Sequence, residues 1–416
     1  MSLSISPQAL AWRYGASVAA FLIPALALWV PSGYSWGAAL FLAFALMTGP
    51  QWWRGPFDAA TKQLLALLPA MAVLWAIDTG PHPSLQLAGQ DISAKYLLAL
   101  PCLVFAMAAP PRPMALWAGI ATGAVGSGVL ALLQSYFWDM ERATGYISAV
   151  QYGGFSLVLG LFSLAALAVL WRWLKPGMRC WLALGGAMGL LASLLSQTRG
   201  SWLALGPALL VIALMLWRAG HGRRLLKVVG VFAVLLLMAW SFQHRTISER
   251  LALIEVEVSA YRNQGEANTS IGQRLEHWRL ALRMGADRPL LGWGRAYSAE
   301  KQRRVDAGLA DAVVARFWHA HNEWLDMFAR RGLVGLLVLA LYLAWPLRFF
   351  WRHRKTALPA AGVAVQPEAM AAQQRALCVA GVLLPVCYFV FGWTDVYFSH
   401  NNGHAFYMFM LILLVA

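Results

Sequence analysis

Eight consecutive positions, His319-Ala320-His321-Asn322-Glu323-Trp324-Leu325-Asp326, hold two imidazoles and two carboxylates in a chain with few ionisable groups. Imidazole titrates near neutral pH, so a histidine there can take a proton from an incoming nucleophile, and a neighbouring carboxylate can orient it. Far upstream, Ser196-Gln197-Thr198-Arg199-Gly200-Ser201-Trp202 sets an arginine in a tight turn between two apolar runs. A guanidinium is permanently charged and grips phosphate through two donors at once; the free N–H groups of a helix starting at Gly200 or Ser201 would point the same way. The competing reading is interfacial snorkelling of Arg199 beside Trp202. The histidine run also permits zinc, through His319, His321, Glu323 and Asp326, with no further outer histidine cluster nearby except His400 and His404. Ligands two positions apart diverge on a helix and converge only on an irregular turn, so the expectation is no metal.

The elements that must position these residues are membrane helices. The chain has 416 residues, 60% of them hydrophobic and 12% charged, with a mean hydropathy of +0.58. That composition is dominated by apolar runs long enough to cross about 30 Å of hydrocarbon, which excludes a soluble protein. A net charge of +15 would suggest nucleic acid in a soluble chain, but here it reads as loop arginines that set topology. Cys102, Cys180, Cys378 and Cys387 show no CxxC spacing, so neither a disulfide framework nor a thiolate metal site is expected.

Twelve spans are expected, at roughly 15–31, 34–48, 63–79, 94–109, 114–136, 150–173, 180–196, 201–217, 226–242, 332–350, 376–393 and 402–416. With the N-terminus in the cytoplasm, sixteen of the 33 Lys and Arg fall inside, and only Lys95, Arg142 and Arg199 lie in short outer loops. The other fourteen lie in one outer segment, 243–331, too long to obey that rule, together with eleven of the 18 acidic residues. The division is thus nine spans in 1–242, a mixed-charge folded loop over 243–331, and three spans in 332–416.

Within the loop, Ile271, Leu275, Trp278 and Leu282 recur at helical spacing until Asp287-Arg288-Pro289 breaks the pattern. A second amphipathic helix is expected over 306–318. In a third, Asn322 caps the N-terminus, Glu323 and Asp326 occupy the first turn, Trp324, Leu325 and Phe328 form an apolar side, and Arg330-Arg331-Gly332 closes the helix.

The ordered set Arg274-x3-Trp278-x2-Ala281, Pro289-Leu290-Leu291-Gly292-Trp293-Gly294 and His321-Asn322-x2-Leu325-x6-Gly332-x2-Gly335 resembles the O-antigen ligase and polymerase superfamily of bacterial envelope glycosyltransferases. Thr198-Arg199-Gly200-Ser201-Trp202 is similar to that family's upstream arginine turn, and the likeness covers about 198–335. It implies an all-α polytopic membrane protein with about 12 transmembrane helices and one long, largely helical periplasmic loop, like the C-class glycosyltransferases. It also implies an inverting, metal-independent enzyme without cofactor, in the bacterial inner membrane. Such an enzyme transfers a polysaccharide from an undecaprenyl-pyrophosphate carrier to a sugar hydroxyl at the periplasmic face, with membrane lipids and no nucleic acid as its surroundings.

In those terms His321 is the candidate base, Arg199 and Arg274 the pyrophosphate ligands, and Glu323 or Asp326 the carboxylate that orients the base. His319, Asp395 and Trp278 are supporting candidates, Asp395 because its turn Gly392–Tyr397 faces the same compartment. Each has a plain alternative: His321 as a cap or surface residue, Arg274 paired with Glu276 or Glu323, and Trp278 as an interfacial anchor. Three acceptors are open within the superfamily: the lipid A core (ligase), another repeat (polymerase) and a protein hydroxyl. One long outer loop, where polymerases tend to have two, and no added C-terminal domain rank the ligase first. A flippase or transporter would be expected to show internal repeats and charges at mid-membrane depth, and the expected spans carry almost none.

Overall fold

In a computed structural model the described residues are 7–49, 57–77, 86–218, 230, 255–354 and 367–416, and among them all regular structure is helical. Among the described residues eight helices are long and apolar enough to cross a membrane, and three more are apolar but shorter. They are α1 (Pro7–Leu26), α2 (Gly33–Thr48), α3 (Ala59–Ala76), α4 (Gln86–Ala108), α5 (Pro113–Leu132), α6 (Ala149–Leu170) and α7 (Pro176–Leu195). A single turn, α8 (Arg199–Trp202), precedes α9 (Leu205–Arg218). Eleven of the expected spans coincide with these helices and three later ones; the twelfth, 226–242, and the stretch 243–254 lie outside the described residues apart from Gly230. The chain is a multi-pass α-helical membrane protein. Lys95, expected in an outer loop, lies inside α4.

The polar segment between the two groups of spans builds a small core of its own. Ala267, Leu280, Ala281, Met284, Tyr297, Val313, Val314 and Ala320 bury one another together with Ala329, apart from the main core of the bundle. Its principal helix, α10 (Ser270–Asp287), starts where Thr269 accepts the Gly272 N–H at 3.0 Å. The expected apolar stripe is not its buried face: Leu282 is exposed and Ile271, Leu275 and Trp278 are half-buried, whereas Gly272, Glu276, His277, Leu280, Ala281 and Met284 are buried. Glu276 can turn inward because its carboxylate accepts from the Tyr261 hydroxyl at 2.5 Å, so burial leaves that oxygen paired.

The helix expected over 306–318 is absent. Instead α11 (Tyr297–Asp306) ends at Ala307-Gly308, where Gly308 takes φ 67°, and Asp311 captures the Val313 N–H at 2.8 Å to start a short 3₁₀ turn, Ala312–Arg316. Then α12 (Glu323–His353) leads from the polar segment into the bundle. Its first part closes at Gly332 as expected, with φ 62° and ψ −157°, and a second helix follows directly across the kink. Two further helices, α13 (Pro367–Phe391) and α14 (Asn401–Val415), complete the described bundle.

Candidate active site

The histidine run is an irregular turn held in place by its own acids. Asn322 caps α12 as expected, its Oδ1 accepting the N–H groups of Trp324 and Leu325 at 3.0 and 3.1 Å. His321, just before the cap, sits at φ 52°, a left-handed conformation uncommon for a residue with a Cβ. That conformation brings positions 319 and 321 together: the backbone N–H of His321 donates to Nδ1 of His319 at 3.1 Å, and the two ring centroids are 4.3 Å apart. Accepting this N–H fixes the neutral His319 ring with its proton on Nε2.

Both nearby carboxylates act on backbone. Asp326 accepts the Ala320 N–H at 3.0 Å and the Arg330 Nε–H at 2.9 Å, while Arg330 also donates to the Trp318 carbonyl and lies 4.1 Å over the Tyr297 ring. Glu323 accepts the N–H groups of Tyr397 and Phe398 at 2.5 and 2.9 Å, and its own N–H donates to the Gly392 carbonyl at 2.7 Å. The carboxylate that reaches the histidines is a third one, Asp395, on the turn that Glu323 holds. Its Oδ1 is 3.7 Å from Nδ1 of His321 and 3.9 Å from Nδ1 of His319, and it is buried without a hydrogen-bond partner among the described residues. The zinc set suggested by spacing therefore does not form with Glu323 or Asp326; His319, His321 and Asp395 gather instead.

Burial works to raise the Asp395 carboxyl, yet the imidazoles of His321, His319 and His400 around it hold it below the ordinary carboxylate value. Burial likewise pushes His319 down to about 4, against the pull of Asp395, so that ring is neutral at physiological pH. His321 keeps 22% of its side chain exposed, against 8% for His319.

His277 was not among the residues expected at the site. It lies on the buried face of α10 with its ring centroid 5.6 Å from that of His321, and its Nε2 is buried without a hydrogen-bond partner among the described residues. Burial, with the Lys301 charge and the neighbouring imidazoles, drives it down to about 3. Only the true helical register, which turns positions 276, 277, 280 and 281 inward, would have revealed it. Phe317 closes on His321 at 4.7 Å, and His400 faces His319 at 6.0 Å.

The two arginines are placed differently. Arg274 is exposed on α10 one turn before His277, and it has no ion-pair partner among the described residues. The pairing with Glu276 or Glu323 considered from sequence does not occur, since Glu276 meets Arg279 at 3.5 Å and Glu323 is spent on backbone. Arg199 is exposed at the start of α8, a single helical turn interrupted before α9. The helix dipole expected to help it is therefore that of four residues only. Its turn nevertheless abuts the site. Gly200 faces Thr394, the residue before Asp395, so closely that a Cβ would lie 2.4 Å from Thr394 Oγ1, and Ser201 Oγ is 3.5 Å from the Tyr397 hydroxyl. Trp278 is half-buried, and its Nε1 has no hydrogen-bond partner among the described residues.

The glycine-rich motif 289–294 couples this site to the bundle. At the Gly332 break the N–H groups of Leu333 and Val334 leave the helical ladder and donate to the carbonyls of Pro289 and Leu290 at 2.7 and 3.2 Å. In return the Trp293 N–H takes the Ala329 carbonyl at 3.0 Å.

The arginine turn, the helix bearing His277, the glycine-rich motif and the histidine run all fall within one stretch that also matches a known family. A family profile described as O-antigen ligase matches residues 184–340. A Haemophilus influenzae protein described as uncharacterized is 22% identical over 328 residues, covering 78% of each chain. Over residues 184–340 the chain is thus similar to the O-antigen ligase family.

Proposed function

We propose that the chain is an O-antigen ligase that transfers a polysaccharide from undecaprenyl pyrophosphate to a sugar hydroxyl of the lipid A core. Its family supports a glycosyltransferase-type enzyme of lipopolysaccharide biosynthesis, and its apolar helices support lipid-borne substrates. The bias of basic residues among the short loops argues for a site on the periplasmic side of the inner membrane.

The observation that carries the reading is the His321–Asp395 pair, a partly exposed imidazole beside a buried carboxylate. With Nδ1 towards Asp395, Nε2 of His321 takes the acceptor hydroxyl proton. The acceptor oxygen then bonds to the anomeric carbon from the face opposite the pyrophosphate. The bond from that carbon to the pyrophosphate oxygen breaks, so the configuration inverts and undecaprenyl pyrophosphate leaves. Arg199 and Arg274 stabilise the negative charge that grows on the leaving group, a role that suits a guanidinium fork and needs no metal. Glu323 and Asp326 are positioning residues for the two turns.

His321→Ala should lower transfer by about 10² to 10⁴ while membrane insertion and binding of the lipid-linked donor persist. Undiminished transfer by the purified variant removes His321 from the chemistry. The acceptor is read from a lipopolysaccharide gel of a deletion strain: loss of all polymer caps with lipid-linked polymer accumulating supports the ligase. Single-repeat caps identify a polymerase, and unchanged lipopolysaccharide points to a protein acceptor.

A further inference from the structure

One nitrogen from each of His319 and His321 and one carboxylate oxygen of Asp395 lie within 4.8 Å of one another. Two neutral imidazoles and a carboxylate are the donor set of open zinc sites, which hold the ion by three protein ligands and leave a fourth position for solvent. Zinc binds such ligands at about 2.0–2.2 Å, which sets them about 3.4 Å apart in a tetrahedron. The two histidine–Asp395 distances of 3.7 and 3.9 Å must close by only a few tenths of an ångström, with His319 Nδ1 giving up the His321 N–H to the ion, and the partly exposed His321 ring has room to move. An independent feature points to a ligand here. Asp395 is 6% exposed and its Oδ1, turned towards both rings, is buried without a hydrogen-bond partner among the described residues. A carboxylate oxygen out of water with no hydrogen bond is costly, and a cation would compensate it. The turn is also rigidly supported from outside the set, as zinc sites usually are: Glu323 fixes the Asp395 turn and Asp326 fixes the backbone between the histidines.

We propose that His319, His321 and Asp395 form a binding site for a zinc-class divalent ion, and that the bound ion blocks transfer by occupying the imidazole that would serve as base. The blocking part rests on the reading of His321 given above; the binding part does not. A hard ion such as magnesium prefers all-oxygen ligands and is a poor occupant of this set.

The test uses the full chain, purified in detergent and stripped with a chelator. Zinc chloride is titrated by calorimetry, with magnesium chloride as the control, and transfer is measured across the same series. The expected result is one saturable zinc site per chain, no magnesium heat at the same concentrations, and transfer that falls as zinc fills the site and returns with chelator. Asp395→Asn and His319→Gln keep side-chain shape, and each should weaken zinc by about 100-fold or more while the variants retain the wild-type helical circular dichroism. Zinc binding that is missing, or that is unchanged in both folded variants, overturns the site. Transfer that is unaffected or raised at zinc saturation overturns the blocking. A metal-stripped His321→Ala that transfers normally sinks the assignment of the base, and the binding titration is judged without reference to it.

Discussion

Lys301 is the residue whose placement makes the sharpest energetic demand on the polar segment. Its ammonium is buried and donates to the Phe317 carbonyl, directly before the histidine run. Burial, helped by the charge of Arg330, lowers it to about 7 from an ordinary 10.5. Below about pH 7 it is protonated in both the folded and the unfolded chain, and the folded state bears the full cost of burying the charge. Between about 7 and 10.5 the unfolded chain holds a proton that the folded one has released, so stability rises with pH across that window. Lys301→Met preserves the long apolar stem and removes the charge. It should therefore raise the melting temperature more at pH 6 than at pH 9, read by thermal denaturation in detergent. A gain independent of pH, or larger at pH 9, would show that the group is not desolvated in this way.

At the scale of elements, the break in α12 decides whether the polar segment stays attached. A Cβ on Gly332 would lie 2.3 Å from the Leu290 carbonyl oxygen, and the residue's φ of 62° is itself unfavourable for alanine. Gly332→Ala should cost about 1–3 kcal/mol and pull Pro289–Gly294 off the helix, because the Leu333 and Val334 N–H groups would return to the α-helical ladder. Transfer should fall with membrane insertion intact, and limited proteolysis should open a new cut within 289–294; an unchanged digest and unchanged rate would refute the coupling. What sequence alone conveyed here follows the range of the forces involved. Asn322 was legible as a cap because a short amide competes locally for free N–H groups. The break of α10 at Asp287 was legible because proline at 289 ends a helix. The buried face of α10 was not, because Glu276 and His277 turn inward only once Tyr261 and His321 are there to meet them. Nor was the end of α11, since it depends on the Asp311 side chain trapping one N–H.

For the whole molecule, the site exists only where three distant stretches meet: 196–201, 274–321 and 392–400. The hydropathy pattern conveyed the spans, and the charge pattern conveyed the polar segment, because both follow from solvent preference residue by residue. The meeting of Asp395 with His321 was not legible. It is made by a single carboxylate, Glu323, binding backbone 74 and 75 positions away, and such a contact leaves no periodicity behind. The junction between the arginine turn and the Asp395 turn is the narrowest point of this assembly, since Gly200 is the residue that lets Thr394 approach. Gly200→Val would drive a branched side chain into Thr394, whose hydroxyl is already committed to the Phe391 carbonyl at 3.1 Å. The two turns would separate, so transfer should fall by about tenfold or more even though neither His321 nor Arg199 is altered, as expected when binding groups are displaced by about 1 Å. Thr394→Gly should restore a large part of the rate in the double variant while doing little by itself. A double-mutant cycle measures this directly: a strong positive coupling places the arginine turn and the Asp395 turn in one working unit. Additive losses would mean that Arg199 acts independently of the histidine site.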